Sequence, residues 1–141
     1  MLTKIFFLLS CLLSTSFSLA QTSPATLTPP GQSEEVCSSR NPQICVQLHF
    51  QNGADSKTEA DFILEIKTPQ DVNITDPKVV LWMDMGGMGH RGAPVDMQAL
   101  GGNRFKITNV WFVMPGLWLV KVDFNFQNDS NHFEFPINIE K

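Results

Sequence analysis

The chain is short of positive charge. Its 10 Lys and Arg are outnumbered by 14 Asp and Glu, giving a formal net charge of −4. That balance argues against nucleic acid or an anionic membrane surface as the main partner. No apolar run reaches the roughly 20 residues a membrane-spanning helix needs. No convincing helical period occurs past the N-terminus, and no internal repeat. Nucleophile elbows, H-E-x-x-H and paired carboxylates beside a histidine are all missing, so an enzyme is not expected. Asp84 and His90 could form a dyad, but no nucleophilic Ser or free Cys lies near them in sequence. Cysteine is scarce, with three in 141 residues, and none in a Cys-x-x-Cys pair. Hydrophobic residues make up 43% and charged ones 17%, enough for one packed domain and against global disorder.

The N-terminus reads as a targeting segment. Lys4 is followed by an apolar run over residues 5–13, interrupted by Ser10, and by the small-x-small site Ser18-Leu19-Ala20. Cleavage after Ala20 would start the mature chain at Gln21. The rival is lipidation at Cys11, since Leu8-Leu9-Ser10-Cys11 resembles a lipobox, though only residues 5–9 would form its hydrophobic region. Either route exports the chain to the periplasm or beyond. Cys37 and Cys45 then remain, and an even number in an exported protein predicts a disulfide. A metal or redox pair is the other reading. The domain plan is a signal peptide over 1–20, a Thr-, Ser- and Pro-rich flexible lead over 21–36, and a folded domain over 37–141.

Period-two patterns bounded by Gly, Asn, Asp and Pro predict the strands. They fall at residues 45–50, 61–68, 78–84, 95–100, 105–114, 117–126 and 132–140. Pro136 lies on the outward face of the last strand, which suits a sheet edge. About seven antiparallel strands predict an all-β, immunoglobulin-like sandwich.

Every methionine of the mature part (Met83, Met85, Met88, Met97 and Met114) lies between residues 83 and 114. Most surround the loop in Leu81-Trp82-Met83-Asp84-Met85-Gly86-Gly87-Met88-Gly89-His90. Antiparallel strands reverse at each connection. If the chain is at the top at Asp84, it is at the bottom at Gly101-Gly102 and back at the top at Met114-Pro115-Gly116. Met88, His90 and Met114 are therefore expected at one end, with Met85 in the loop and Met97 facing the same end. The Asn52-Gly53 loop shares that end and brings His49 loosely into range. His132 starts from the bottom and is excluded. Thioethers plus one imidazole suit monovalent copper, and thioethers are not lost to disulfide formation in an oxidising compartment. Phe112 or Trp111 would wall the site. Alternatives stay open at single positions. Met83 continues the alternation Val79, Leu81, Met83 and reads as core, Met97 fits core equally well, and His49 fits ordinary surface.

Trp82…Met88-Gly89-His90, followed by Phe112-Val113-Met114-Pro115-Gly116-Leu117-Trp118, resembles the YtkA-like domain family and its FixH-like relatives over roughly residues 62–139. The resemblance implies an exported immunoglobulin-like β-sandwich linked to copper handling in a bacterial envelope. Its matched positions are Met88, His90 and Met114. The chain departs from the family where Met-Pro is common, because no proline follows Met83 or Met85.

The expectation is an exported Cu(I) chaperone or buffer, with copper-handling or oxidase-assembly envelope proteins as partners. The competing expectation is a non-metal interaction module whose Trp and Met residues form an apolar docking surface.

Overall fold

The computed structural model describes residues 35–140. The expected signal peptide and residues 21–34 of the lead lie outside them. The described residues build nine strands: β1 (Glu35–Cys37), β2 (Cys45–Phe50), β3 (Ala60–Lys67), β4 (Lys78–Asp84), β5 (Gly89–Arg91), β6 (Asp96–Gly101), β7 (Arg104–Val110), β8 (Gly116–Phe126) and β9 (Asp129–Ile139). The only helical turn among them is a short 3-10 segment at Pro69–Asp71. The strands form two antiparallel sheets, β1–β2–β3–β7–β6 and β5–β4–β8–β9.

Alternation explains why these segments are strands and which face each buries. On β8, Trp118, Val120, Val122, Phe124 and Phe126 are all buried, and on β9 Phe133, Phe135, Ile137 and Ile139 are too. They join Phe62, Leu64 and Ile107 of the other sheet in one core cluster. Each such side chain taken from water stabilises by about 1.5–3 kcal/mol before entropy is set against it. Pro136 stands on β9, at the edge of its sheet, opposite Leu119, where a missing N–H costs no ladder bond.

The all-β sandwich agrees with the sequence pattern, and the strand count rises from about seven to nine. The first addition is β1. It begins at Glu35, so residues 35 and 36 of the expected lead pair with Gln47 and Val46. Cys37 lies opposite Cys45, and the two are joined as a disulfide. Lys67 Nζ closes on Glu35 Oε1 at 2.6 Å. The second addition is β5, three residues that pair with the end of β4. At Gly92 the chain leaves this sheet and crosses to the other, where β6 pairs with β7. Gly92 donates to the Leu81 carbonyl (2.8 Å). A side chain there would press on Leu81 and Trp118, so only glycine passes this close.

β7 stops at Val110 and does not run on to Met114 as the pattern predicts. Asn109 has φ +58°, and its N–H donates to Glu59 Oε1 at 2.7 Å. That left-handed residue sits where the β3–β7 register shifts, and beyond it only Val110 still pairs, with Ala60. Phe112 then turns into the core while Trp111 and Val113 stay exposed.

The ladders place the ends as the reversal argument requires. Asp84 faces Leu117, and Gly116 faces Ile139, so the β4–β5 connection and residues 111–115 share the top. The connection at residues 51–59 joins them there, because Phe50 pairs with Phe62. At the bottom, the buried Asn103 accepts from the Ile74 N–H and donates to the Val72 carbonyl, both at 2.7 Å. It ties the segment entering β4 to the turn before β7.

Candidate metal site at the β4–β5 hairpin

Gly86 and Gly87 have φ of +69° and +103°, and the Met85 N–H donates to the Met88 carbonyl at 2.9 Å. Two left-handed central residues closing a two-residue loop match the primed turn that twisted hairpins favour. Gly86 N–H also donates to Asp84 Oδ1 at 3.0 Å. A proline at 86, one of the two positions where the resemblance would allow it, could neither reach φ +69° nor make that bond.

From this turn the register follows: Met83 opposite His90, Asp84 opposite Gly89, Trp82 opposite Arg91. Side chains directly opposite in an antiparallel ladder share a face, with Cβ atoms about 4.5–5.5 Å apart. Successive residues alternate faces. Met83, Met85, Met88 and His90 therefore project from one face of the hairpin, and Asp84 and Gly89 belong to the other. The Asp84–His90 dyad is not formed. The shared face overhangs the top of the sandwich: Met88 is 74% exposed and Met85 42%. Among the described residues the His90 ring has no hydrogen-bonding partner.

The opposite face is clamped. The Trp82 indole packs against Gly89, so closely that a Cβ on Gly89 would overlap the ring. Lys121 Nζ stands 4.9 Å from the centre of the Trp82 ring, a cation–π contact. Lys121 also pairs with Glu134 at 3.0 Å. β5 has only three ladder pairs, and this packing helps hold His90 in register.

The other expected residues fall into place unevenly. Met114 stands at the same end, on the turn before β8, with an exposed side chain. Its carbonyl accepts from Trp118 Nε1 at 2.9 Å. Trp118 faces Met83 across the β4–β8 ladder and meets Phe112 edge-on, with ring centres 5.4 Å apart. Phe112 and Trp118 thus floor this end. Trp111 points elsewhere, its Nε1 donating to Asn109 Oδ1 at 3.0 Å. Met97 does not join the hairpin. It sits on β6 of the other sheet, opposite Ile107, and lines a groove of about 320 Å³ with Ile74, Pro77 and Phe105. The crossing at Gly92 separates it from the loop. His49 faces outward on β2, its Nε2 3.6 Å from Glu65.

Met83 stays in the core, as the alternation predicts, and the register also sets it opposite His90. The signal was available: taking Gly86-Gly87 as a two-residue turn fixes the pairs 85/88, 84/89 and 83/90. Elsewhere, Glu35, Cys37 and Cys45 bring ligand atoms together, but the two sulfurs are bonded to each other and Glu35 is held by Lys67.

No helix among the described residues is long and apolar enough to cross a membrane. Neither a curated protein nor a solved structure matches the chain. A family model does, over residues 44–123, a span that begins just before β2 and ends within β8. It starts earlier than the quoted motifs suggest and leaves out β9. It takes in both the hairpin and the Met114 turn, and it covers more than half of the chain, which therefore belongs to the YtkA-like family.

Proposed function

We propose that this protein is an exported Cu(I)-binding domain, a chaperone or buffer of the bacterial periplasm, with its site on the overhanging face of the β4–β5 hairpin. The carrying observation is the register that sets Met85, Met88 and His90 on one face, exposed and without competing partners. Thioethers with one imidazole form a soft donor set suited to monovalent copper, whereas carboxylate and water ligands suit harder ions. Asp84, the nearest carboxylate in sequence, belongs to the opposite face. The Cys37–Cys45 disulfide supports export, because such bonds persist in oxidising compartments. The targeting pattern at the N-terminus, with cleavage near Ala20, supports the same placement.

A second reading has its own support. Trp111, Val113 and Met114 are exposed apolar side chains in one short segment at the same end, where an envelope partner could dock. On this reading the domain is a non-metal interaction module, and the partner is held by apolar contacts with no ion involved.

Titration with Cu(I) against a competing chelator, under ascorbate so that the disulfide stays intact, separates the two. The metal reading expects one ion per chain, lost when Met88→Ala and His90→Ala are combined and retained in Trp111→Ala. Equal affinity before and after the double change would refute it. The docking reading expects Trp111→Ala to weaken capture of the partner whatever the state of His90.

A further inference from the structure

We infer that Met83, buried under the hairpin, is the inner thioether of this site and makes it selective for soft monovalent ions. The inference rests on the copper reading above and deepens it. Met83 occupies the junction of the two loops at the top. On one side it faces His90 across the β4–β5 ladder, and on the other it faces Trp118 across β4–β8. Its terminal methyl comes within 3.4 Å of where a side chain on Gly116 would begin. It therefore touches the Met114-Pro115-Gly116 turn, and the bare Gly116, at φ +135°, leaves room for the methyl to move. Met85 lies two residues further along the same face.

Core packing alone does not call for a thioether here. At 8% exposure Met83 is at the rim of the core, where a branched aliphatic side chain would pack as well. Methionine differs in having three rotatable bonds and a polarizable sulfur. Its Sδ can turn toward an ion held by His90 while its methyl shifts over Gly116. The donor set then becomes Met83, Met85 and Met88 with His90: three thioethers and one nitrogen, with no oxygen. That set favours Cu(I) and its analogue Ag(I), and disfavours Zn(II). The floor of Trp118 and Phe112 keeps water from the inner side.

The test uses Cu(I) affinity by chelator competition together with methyl NMR of the purified chain labelled at methionine. Met83→Leu conserves volume and should fold. It is expected to weaken Cu(I) by about tenfold or more, whereas Met97→Leu leaves affinity unchanged. In the unaltered protein, Ag(I) should shift the Met83, Met85 and Met88 methyl signals and spare Met97, and Zn(II) should shift none of them. Unchanged affinity in Met83→Leu with a stationary Met83 methyl would overturn the inference while leaving the copper reading intact. Absence of Cu(I) and Ag(I) binding by the unaltered protein would overturn both. If Met83→Leu fails to fold, the Ag(I) response of the Met83 methyl decides alone.

Discussion

The two ends of the sandwich are built on opposite plans. At the bottom, polar groups are satisfied and the chain is tied. Cys37 is bonded to Cys45, Lys67 closes on Glu35, and Asn103 stitches residues 72–74 to the β6–β7 turn. At the top, side-chain bonds at Glu59, Asn109 and Trp118 hold the frame, but the apolar side chains of the hairpin and of the turn before β8 are left open: Met85, Met88, Val113 and Met114 are exposed. Hydrophobic side chains left exposed together are costly unless they do something. On the copper reading, the contrast puts stability at one end and metal binding at the other. Changes at the bottom should alter unfolding and spare metal affinity, and changes at the top should do the reverse.

The largest effect is expected from Cys37→Ser combined with Cys45→Ser. The bridge closes a short loop of sequence separation 8, and its loss should lower stability by about 2–3 kcal/mol through the freedom returned to the unfolded chain. Urea unfolding measures this. Cu(I) affinity should stay within error of the unaltered protein. A fall in affinity would mean that the two ends are coupled and would break the division.

Gly89→Ala sharpens the comparison, since it strikes where frame and site meet. The added methyl would overlap the Trp82 indole, which must then leave its place under Lys121. Overpacking of this kind costs about 1–3 kcal/mol, less than the bridge because β5 is a short edge strand that can detach. Both readouts should move here: a lower unfolding midpoint and weaker Cu(I) binding as His90 loses register. Faster hydrogen exchange at the Gly92 amide, which bonds to the Leu81 carbonyl, would locate the damage in β5. A loss of stability with His90 still in register and affinity intact would show that the Trp82 clamp is structural only.

Much of this frame was legible in the sequence, for a physical reason. β8 and β9 are long and half-buried, so each position must obey the alternation, and the pattern from Trp118 to Phe126 could be read directly. The disulfide followed from counting, and the shared top end from counting reversals. What escaped reading has short range or no periodicity. β5 is three residues containing one glycine, too brief for any pattern. The sheet change at Gly92 leaves only a glycine before Ala93-Pro94, which is why Met97 was expected at the loop and stands in a groove of the other sheet. The end of β7 follows a register shift at one left-handed asparagine, a conformation that composition does not announce. Met83 is buried as the alternation predicts, and what the pattern could not show is its neighbour across the ladder. Alternation says that a residue faces inward, but not that an edge histidine lies beside it, so core residue and ligand look alike until the register is known.

The smallest expected effect concerns the outer face of the β4–β8–β9 ladder, which the two-ends contrast does not cover. Asp123 accepts from His132 Nδ1 at 2.6 Å and Glu134 lies 3.1 Å from Nε2. Bonding to Asp123 first, and then to Glu134, raises the His132 pKa above its ordinary 6.5. Lys121 first, and then His132, lowers that of Glu134 below 4.5. The histidine contribution is therefore complete below about pH 6.5 and is lost as pH rises through the raised value. The glutamate contribution is present above about pH 4.5 and is lost as pH falls through the lowered one. Between these limits both contributions are present, and Lys121 links Glu134 to the Trp82 ring behind the hairpin. All of these groups are partly exposed, so the stabilisation should stay under about 1 kcal/mol and shrink with added salt. Thermal stability of the unaltered protein should weaken slightly from about pH 6.5 upward, and His132→Gln should flatten that slope while shrinking, not abolishing, the Glu134 part of the acid limb, because Lys121 still lowers the Glu134 pKa. A slope that survives His132→Gln would place the titrating group elsewhere. The ladder would then count as solvated surface charge rather than a brace for the back of the hairpin.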